Sequence, residues 1–144
     1  MTPWDHRFIL LAAHVATWSK DPSTRVGCVL VDPQRRVVSL GYNGFPRGVI
    51  DDEGRLGDRA QKYLYMQHAE ANAVAQSVAP PRGCTAYVTH PPCANCMGLL
   101  IQAGVERVVT ERPSEDLRER FAESWEAADI MRLEAGIDYE EREP

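Results

Sequence analysis

The sequence predicts an α/β domain: a three-layer α-β-α sandwich around a mixed five-stranded sheet. Two observations carry this. Short apolar runs of strand length alternate with longer stretches of helical spacing, in the order α-β-β-α-β-α-β-α-β. The first two strands are joined by a short turn and the later ones by helices, which mixes antiparallel with parallel pairing. The 144 residues suit one domain spanning 1–144, and 44% hydrophobic with 26% charged residues is ordinary for a soluble globular chain.

Pro3 to Trp18 reads as the first helix, because Pro3 suits a first turn and Trp4, Phe8, Leu11 and Val15 recur every three or four residues. Ser19-Lys20-Asp21-Pro22 ends it, since proline disfavours helical geometry in the residue before it. Val26 to Val31 and Val37 to Tyr42 are strands, joined by Asp32-Pro33-Gln34-Arg35 into a hairpin. From Asn43 to about Tyr63 neither period is visible, and Gly44, Gly48, Gly54 and Gly57 lie among charges. An irregular loop of that length inside a domain is usually functional or disordered. His68 to Val78 is an alanine-rich helix ended by Pro80-Pro81, and Cys84 to Thr89 is a strand. Ala94 to Ala103 is a helix closed by Gly104, followed by a strand from Val105 to Thr110. Leu117, Phe121, Trp125, Ala128 and Leu133 lay one apolar stripe along a long last helix, and Ile137 to Tyr139 forms a short final strand.

Composition narrows the function classes. Met1 to Trp18 is interrupted by Asp5, His6, Arg7 and His14 and lacks a small-residue cleavage site, so neither a signal peptide nor a membrane span is expected there. A cytoplasmic location follows as the expectation. The net charge of −5 argues against a nucleic-acid-coating protein, yet one or two local cations would still suffice for a phosphorylated small molecule. Four cysteines without a secretory context favour thiols or metal ligands over disulfides. Cys28 and Cys84 lie in apolar strand-like runs and are expected as buried small hydrophobes; His6 and His14 are expected on a helix surface or interface.

Chemistry concentrates in two helix starts. His68-Ala69-Glu70 opens one helix and Pro92-Cys93-Ala94-Asn95-Cys96 opens the next. Two cysteines three apart in a first helical turn can share one metal ion. With His68 they make three protein ligands, the number used by a catalytic zinc that leaves its fourth position to water. A structural zinc closes all four positions, and His90 is the only other nearby candidate. Glu70, two residues from His68, is placed to take a proton from water, pass it to a ring nitrogen and then protonate the departing amine. His-x-Glu combined with Pro-Cys-x-x-Cys is the recognised signature of zinc deaminases.

The wider pattern resembles the deoxycytidylate deaminases of the cytidine deaminase superfamily. The resemblance rests on Ser19-Lys20-Asp21-Pro22-Ser23-Thr24-Arg25-Val26-Gly27, on Gly41-Tyr42-Asn43-Gly44-Phe45-Pro46-Arg47-Gly48, and on Lys62-Tyr63 ahead of His68-Ala69-Glu70-Ala71-Asn72-Ala73. It continues through Gly83-Cys84-Thr85-Ala86-Tyr87-Val88-Thr89 and from Pro92-Cys93-Ala94-Asn95-Cys96 into Leu100-Ile101-Gln102-Ala103-Gly104-Val105. It covers residues 4 to 110 in register and the end of the chain more loosely. It implies a cytidine deaminase-like fold, zinc-dependent hydrolysis of dCMP to dUMP and ammonia, and a homo-oligomer, commonly a hexamer. By position it makes His68, Cys93 and Cys96 the zinc ligands and Glu70 the proton shuttle. It also gives Asn43 a hydrogen bond to the sugar or base, Ala69 an amide contact to the pyrimidine carbonyl, Pro91 a carbonyl for the departing amine, and Val26 packing against the ring. Asn-Gly is also a plain turn former, which leaves Asn43 a second explanation.

Arg47, Arg55, Arg59 and Lys62 are candidates for a phosphate or an allosteric nucleotide, and no spacing selects among them. Some relatives respond to dCTP and dTTP, and Asp51-Asp52 is placed to serve a nucleotide-bound Mg2+. Arg25 departs from the glutamine or lysine frequent at its position. Rival readings are a zinc deaminase of another nucleoside, nucleotide or base such as cytidine, guanine or a modified cytosine, a tRNA adenosine deaminase, or a zinc module without turnover. The acidic run Glu115, Asp116, Glu119, Glu123 and Glu126 fits an RNA substrate poorly, and Glu70 has no use in a purely structural site.

Overall fold

A computed structural model describes residues 1–143. The chain runs α1 (Pro3–Ala16), β1 (Gly27–Val31), β2 (Val37–Tyr42), α2 (Glu53–Gly57), α3 (Arg59–Tyr65), α4 (Ala69–Gln76), β3 (Thr85–Val88), α5 (Ala94–Gln102), β4 (Arg107–Glu111), α6 (Glu115–Arg120), α7 (Ala122–Ala135) and β5 (Asp138–Arg142). The strands form one sheet in the order β2-β1-β3-β4-β5. β1 pairs antiparallel with β2 and β3, whereas β3-β4 and β4-β5 are parallel. The predicted mixed five-stranded sheet is present.

The layering follows from alternation along the strands, whose side chains point to opposite faces. β1 is buried along its whole length because both faces are covered. Cys28 and Leu30 join Ala69, Ala73, Met97, Leu100 and Ala128, the inward residues of α4, α5 and α7. Val29 and Val31 point the other way, against Phe8, Ile9, Ala12 and Val15 of α1. Two glycines permit the close approach. A Cβ on Gly27 would lie 2.0 Å from the Ala12 carbonyl oxygen, and one on Gly41 would lie 2.5 Å from the Ala73 nitrogen.

Two expectations need correction. The stretch from Asn43 to Tyr63 is not structureless: it contains α2 and the start of α3. Asp52 caps α2 through the Arg55 amide, and Asp58 caps α3 through the amides of Ala60 and Gln61. Neither helix buries a residue, so neither needed an apolar period to form. The long last helix is two helices, because Phe121 leaves helical geometry at φ −112° and ψ 16°. Elsewhere element ends move by a few residues. The final strand shows the largest change, beginning at Asp138 and running on to Arg142.

α1 is anchored by a charge cluster between its first turn and strands β3 and β4. Asp5 completes a capping box with Thr2, receives the Tyr87 hydroxyl at 2.7 Å, and takes both arms of Arg107 at 2.8 and 3.0 Å. Burial by itself would raise the Asp5 carboxyl, but hydrogen bonds from Arg107, the Thr2 amide and Tyr87 hold it well below the carboxylate range. A depressed carboxyl stabilises the fold above its unfolded pKa of about 3.9, and that contribution is lost as pH falls towards the folded value. Asp5→Asn is therefore expected to cost about 3 kcal/mol at pH 7. In urea titrations from pH 7 downwards, the gap from the parent protein should narrow once pH drops below about 4; a gap that does not change with pH would rule out this assignment.

Candidate active site

Both helix starts reach the same edge of the sheet. β2 and β3 are each antiparallel to β1, so they run in one direction and end together. Gly44, just beyond β2, exchanges backbone hydrogen bonds with Gln67 at 3.1 and 2.8 Å. This bridge returns the chain from the α2–α3 excursion to that edge, and His68 follows as the N-cap of α4. Cys93 lies beyond β3 as the N-cap of α5, its sulfur receiving the Cys96 amide at 3.5 Å. Ser124 of α7 accepts the Ala94 amide at 2.9 Å and ties the C-terminal helix to the same point.

The three donor atoms converge. His68 Nδ1 lies 3.5 Å from Cys93 Sγ and 3.3 Å from Cys96 Sγ, and all three atoms fall within 4.8 Å of one another. A tetrahedral zinc with bonds of about 2.3 Å to sulfur and about 2.0 Å to nitrogen would separate those donors by about 3.6 Å. The donor set and its spacing therefore fit Zn2+. Among the described residues no other group of three metal-ligating side chains is so placed.

Glu70 sits in the first turn of α4, 4% exposed, close to His68 and the two cysteines. Burial pushes its pKa up to about 7, against the pull of the nearby His68. Hydrogen bonding with Cys96 is the main cause that lowers Cys93, with His68 adding to it. The same pairing, together with burial, raises Cys96. The bond to Cys93 raises His68.

A cleft of about 580 Å³ opens over this centre, a volume suited to a small molecule. His68, Ala69, Glu70 and Cys93 form part of its lining, as do Val26, Asn43 and Pro91. Asn43 is 6% exposed and largely committed: its Oδ1 accepts the Val26 amide at 2.8 Å, while its Nδ2 donates to the Thr24 carbonyl at 2.9 Å and to Asp21 at 3.4 Å. Arg59 and Lys62 reach the cleft, Lys62 with its ammonium 3.1 Å from Asp21. Arg47, bonded to Gln76, and Arg55, bonded to the Ile50 carbonyl, do not line it. Asp51 pairs with Lys20 and Asp52 caps α2.

Sequence reasoning missed the wall supplied by the C-terminal helices. Leu117, Arg120, Phe121 and Trp125 line the cleft, although the spacing of the first, third and fourth fits one helical stripe. The break at Phe121 carries no glycine or proline to announce it. His90 also lines the cleft; burial lowers its imidazole, and its Nδ1 lacks a partner.

Comparison with known proteins agrees with this geometry. Residues 2–112 match the zinc-binding region of cytidine and deoxycytidylate deaminases. The chain is 39% identical over 138 residues to an "uncharacterized deaminase in luxG 3'region" of Aliivibrio fischeri, covering 96% of this chain and 92% of that one. It is 45% identical over 106 residues to a probable deoxycytidylate deaminase of Caenorhabditis elegans, covering 71% of this chain but spanning only 54% of that relative. The fold matches the dCMP deaminase of cyanophage S-TIM5, solved in complex with dCMP and dUMP. There the TM-score is 0.76 at 23% identity, covering 99% of each chain.

Purified protein is expected to carry about one zinc per chain. Replacing His68, Cys93 or Cys96 by Ala or Ser should drop the metal content well below that figure, read by elemental analysis after dialysis. Full occupancy in a Cys96→Ser variant would remove Cys96 from the ligand set.

Proposed function

The chain belongs to the cytidine and deoxycytidylate deaminase family with its characteristic zinc-binding region, and we propose that it hydrolyses dCMP to dUMP and ammonia. The observation that carries this reading is the convergence of His68, Cys93 and Cys96 at zinc spacing beside a buried Glu70, on the floor of a nucleotide-sized cleft. His68, Cys93 and Cys96 would hold Zn2+, which when bound makes hydroxide available near neutral pH.

The remaining work falls to the chain's own groups. Glu70 accepts the proton of the attacking water and delivers it to N3 of the cytosine ring; it then takes the proton of the hydroxyl formed at C4 and gives it to the amine, which leaves as ammonia while the C4 carbonyl forms. The Ala69 amide, at the first position of α4 and in the cleft lining, donates to the pyrimidine carbonyl. The Pro91 carbonyl accepts from the departing amine and Val26 packs on the ring, both from the cleft lining. Arg59 and Arg120 are the cleft-lining guanidinium groups that, among the described residues, pair with no carboxylate, and they receive the phosphate.

The coarser features agree. Among the described residues no helix is long and apolar enough to cross a membrane. A reducing compartment such as the cytoplasm suits a chain with two cysteines at the metal site and two buried, unpaired thiols, Cys28 and Cys84. Exposed Trp4, Leu10, Ile130 and Leu133 supply apolar surface for a homo-oligomer. A nucleotide-bound Mg2+ at Asp51 and Asp52, as in regulation by dCTP or dTTP, must displace Lys20 and the α2 cap.

Ammonia release from dCMP, CMP, deoxycytidine, dCTP and guanine tests the reading, with dCMP the preferred substrate. Glu70→Gln should lower kcat by about 10²- to 10⁴-fold while zinc content and melting temperature hold. Inactivity of the zinc-loaded parent on every cytosine compound would overturn the assignment.

A further inference from the structure

The loop between α1 and β1 buries a carboxylate that the chemistry above does not use. Asp21 is 5% exposed. Its Oδ1 accepts the amides of Ser23 at 2.8 Å and Thr24 at 3.1 Å and the Lys62 ammonium at 3.1 Å; its Oδ2 faces Asn43 Nδ2. Lys62 belongs to α3, a helix with no buried residue. Just before α2, Asp51 makes a second, exposed ion pair to this loop, with Lys20. The Lys62 side chain is 13% exposed and that of Asp21 only 6%, so each charge is largely dehydrated and compensated by the other.

From Asp21 the bonds continue towards the metal centre. Asn43 donates to Asp21 and the Thr24 carbonyl and accepts from the Val26 amide, while Ser19 Oγ donates to the Asn43 carbonyl at 2.8 Å. The next residue, Gly44, exchanges its two backbone bonds with Gln67, the neighbour of His68. Hydrogen bonds thus run from the α3 wall through Asp21 and Asn43 to Val26, and the chain from Asn43 into the Gly44–Gln67 bridge carries the contact on to His68.

We propose that Asp21 is a positioning residue: through Lys62 it holds the α3 wall over the cleft, and through Asn43 it sets Val26 and the start of α4 relative to that wall. Lys62 is then a structural partner of Asp21 and not a ligand for the substrate phosphate. Turning its ammonium to a phosphate would strand a buried carboxylate without its counter-charge. The proposal rests on the reading of the chain as a deaminase of a cytosine nucleotide.

The test compares Lys62→Met, Asp21→Asn, their combination and Lys62→Arg, each zinc-loaded, on dCMP and deoxycytidine. A wall displaced by about an ångström lowers kcat/KM by up to about 10²-fold. Both single variants should therefore lose a similar factor on both substrates, at unchanged zinc content. The double variant should fall no further than the worse single, because the pair acts as a unit. Lys62→Arg should recover most of the loss. A loss by Lys62→Met confined to dCMP would make Lys62 a phosphate ligand and overturn the proposal, as would additive losses or none. Hydrogen exchange reads the same linkage without substrate: in either single variant, exchange should rise together in residues 21–26 and 59–66, and a rise confined to one segment overturns it. A parent inactive on both compounds sinks the functional reading, and the exchange result still decides the role of Asp21.

Discussion

His68 can meet Cys93 and Cys96 only if α4 and α5 begin side by side at one edge of the sheet, and much of the chain is arranged to satisfy that requirement. β1 runs against both β2 and β3, which sets their carboxyl ends together. The Gly44–Gln67 bridge then allows a long excursion between β2 and α4 without moving His68 from that edge. Gly41 lets α4 lie closer to β2 than any side chain at that position would allow. Ser39 Oγ reaches the Ala73 carbonyl at 2.6 Å, and Asn72 reaches the Tyr42 carbonyl at 2.8 Å, so polar contacts bracket the same helix–strand contact.

The arrangement carries a cost in helix stability. His68 occupies the N-cap of α4 and makes no side-chain cap, where a serine or aspartate would add about 1 kcal/mol. α5 fares better, since Cys93 accepts the Cys96 amide, but a sulfur is a weak acceptor. A buried glutamate in the first turn of α4 adds a desolvation cost, which the neighbouring His68 only partly offsets. What holds these starts in place is packing farther along each helix: Ala69 and Ala73, then Met97 and Leu100, share one core cluster with β1, β3 and β4.

The parts of this structure that bury apolar residues were legible in the sequence, and so was the metal site. The unbroken apolar run of β1, buried on both faces, and the helical period of α1 both report burial against neighbouring layers, and they are visible because burial is what the pattern encodes. The His-x-Glu and Pro-Cys-x-x-Cys segments were readable because metal ligation restricts residue type at fixed spacing. α2 and α3 escaped notice because they bury nothing and depend on Asp52 and Asp58 caps, a signal shared with ordinary turns. The break at Phe121 was hidden because Leu117, Phe121 and Trp125 still keep helical spacing across it, although they line the cleft. Asn43, which the resemblance gives to the sugar or base and which Asn-Gly also marks as a turn, lines the cleft but spends three of its hydrogen bonds on the 21–26 loop, a contact no local spacing could reveal.

The charge balance shows why a composition argument has to be made locally. The chain is acidic overall at −5, and α6 begins with Glu115 and Asp116. Exposed charges act over a Debye length of about 8 Å at physiological ionic strength, so carboxylates elsewhere on the surface are largely screened at the cleft. Within the lining, Asp21 is cancelled by Lys62, and Glu70 lies beneath the donors of the metal site. That leaves Arg59 and Arg120 as the guanidinium groups without an ion-pair partner among the described lining residues. Each rests against an aromatic ring, Arg59 over Tyr63 at 5.4 Å and Arg120 over Phe121 at 5.4 Å. A ring beneath a guanidinium limits its conformations while leaving its N–H groups free to donate. An anionic ligand entering this cleft therefore meets two partly ordered cations on a protein whose net charge would have argued against them.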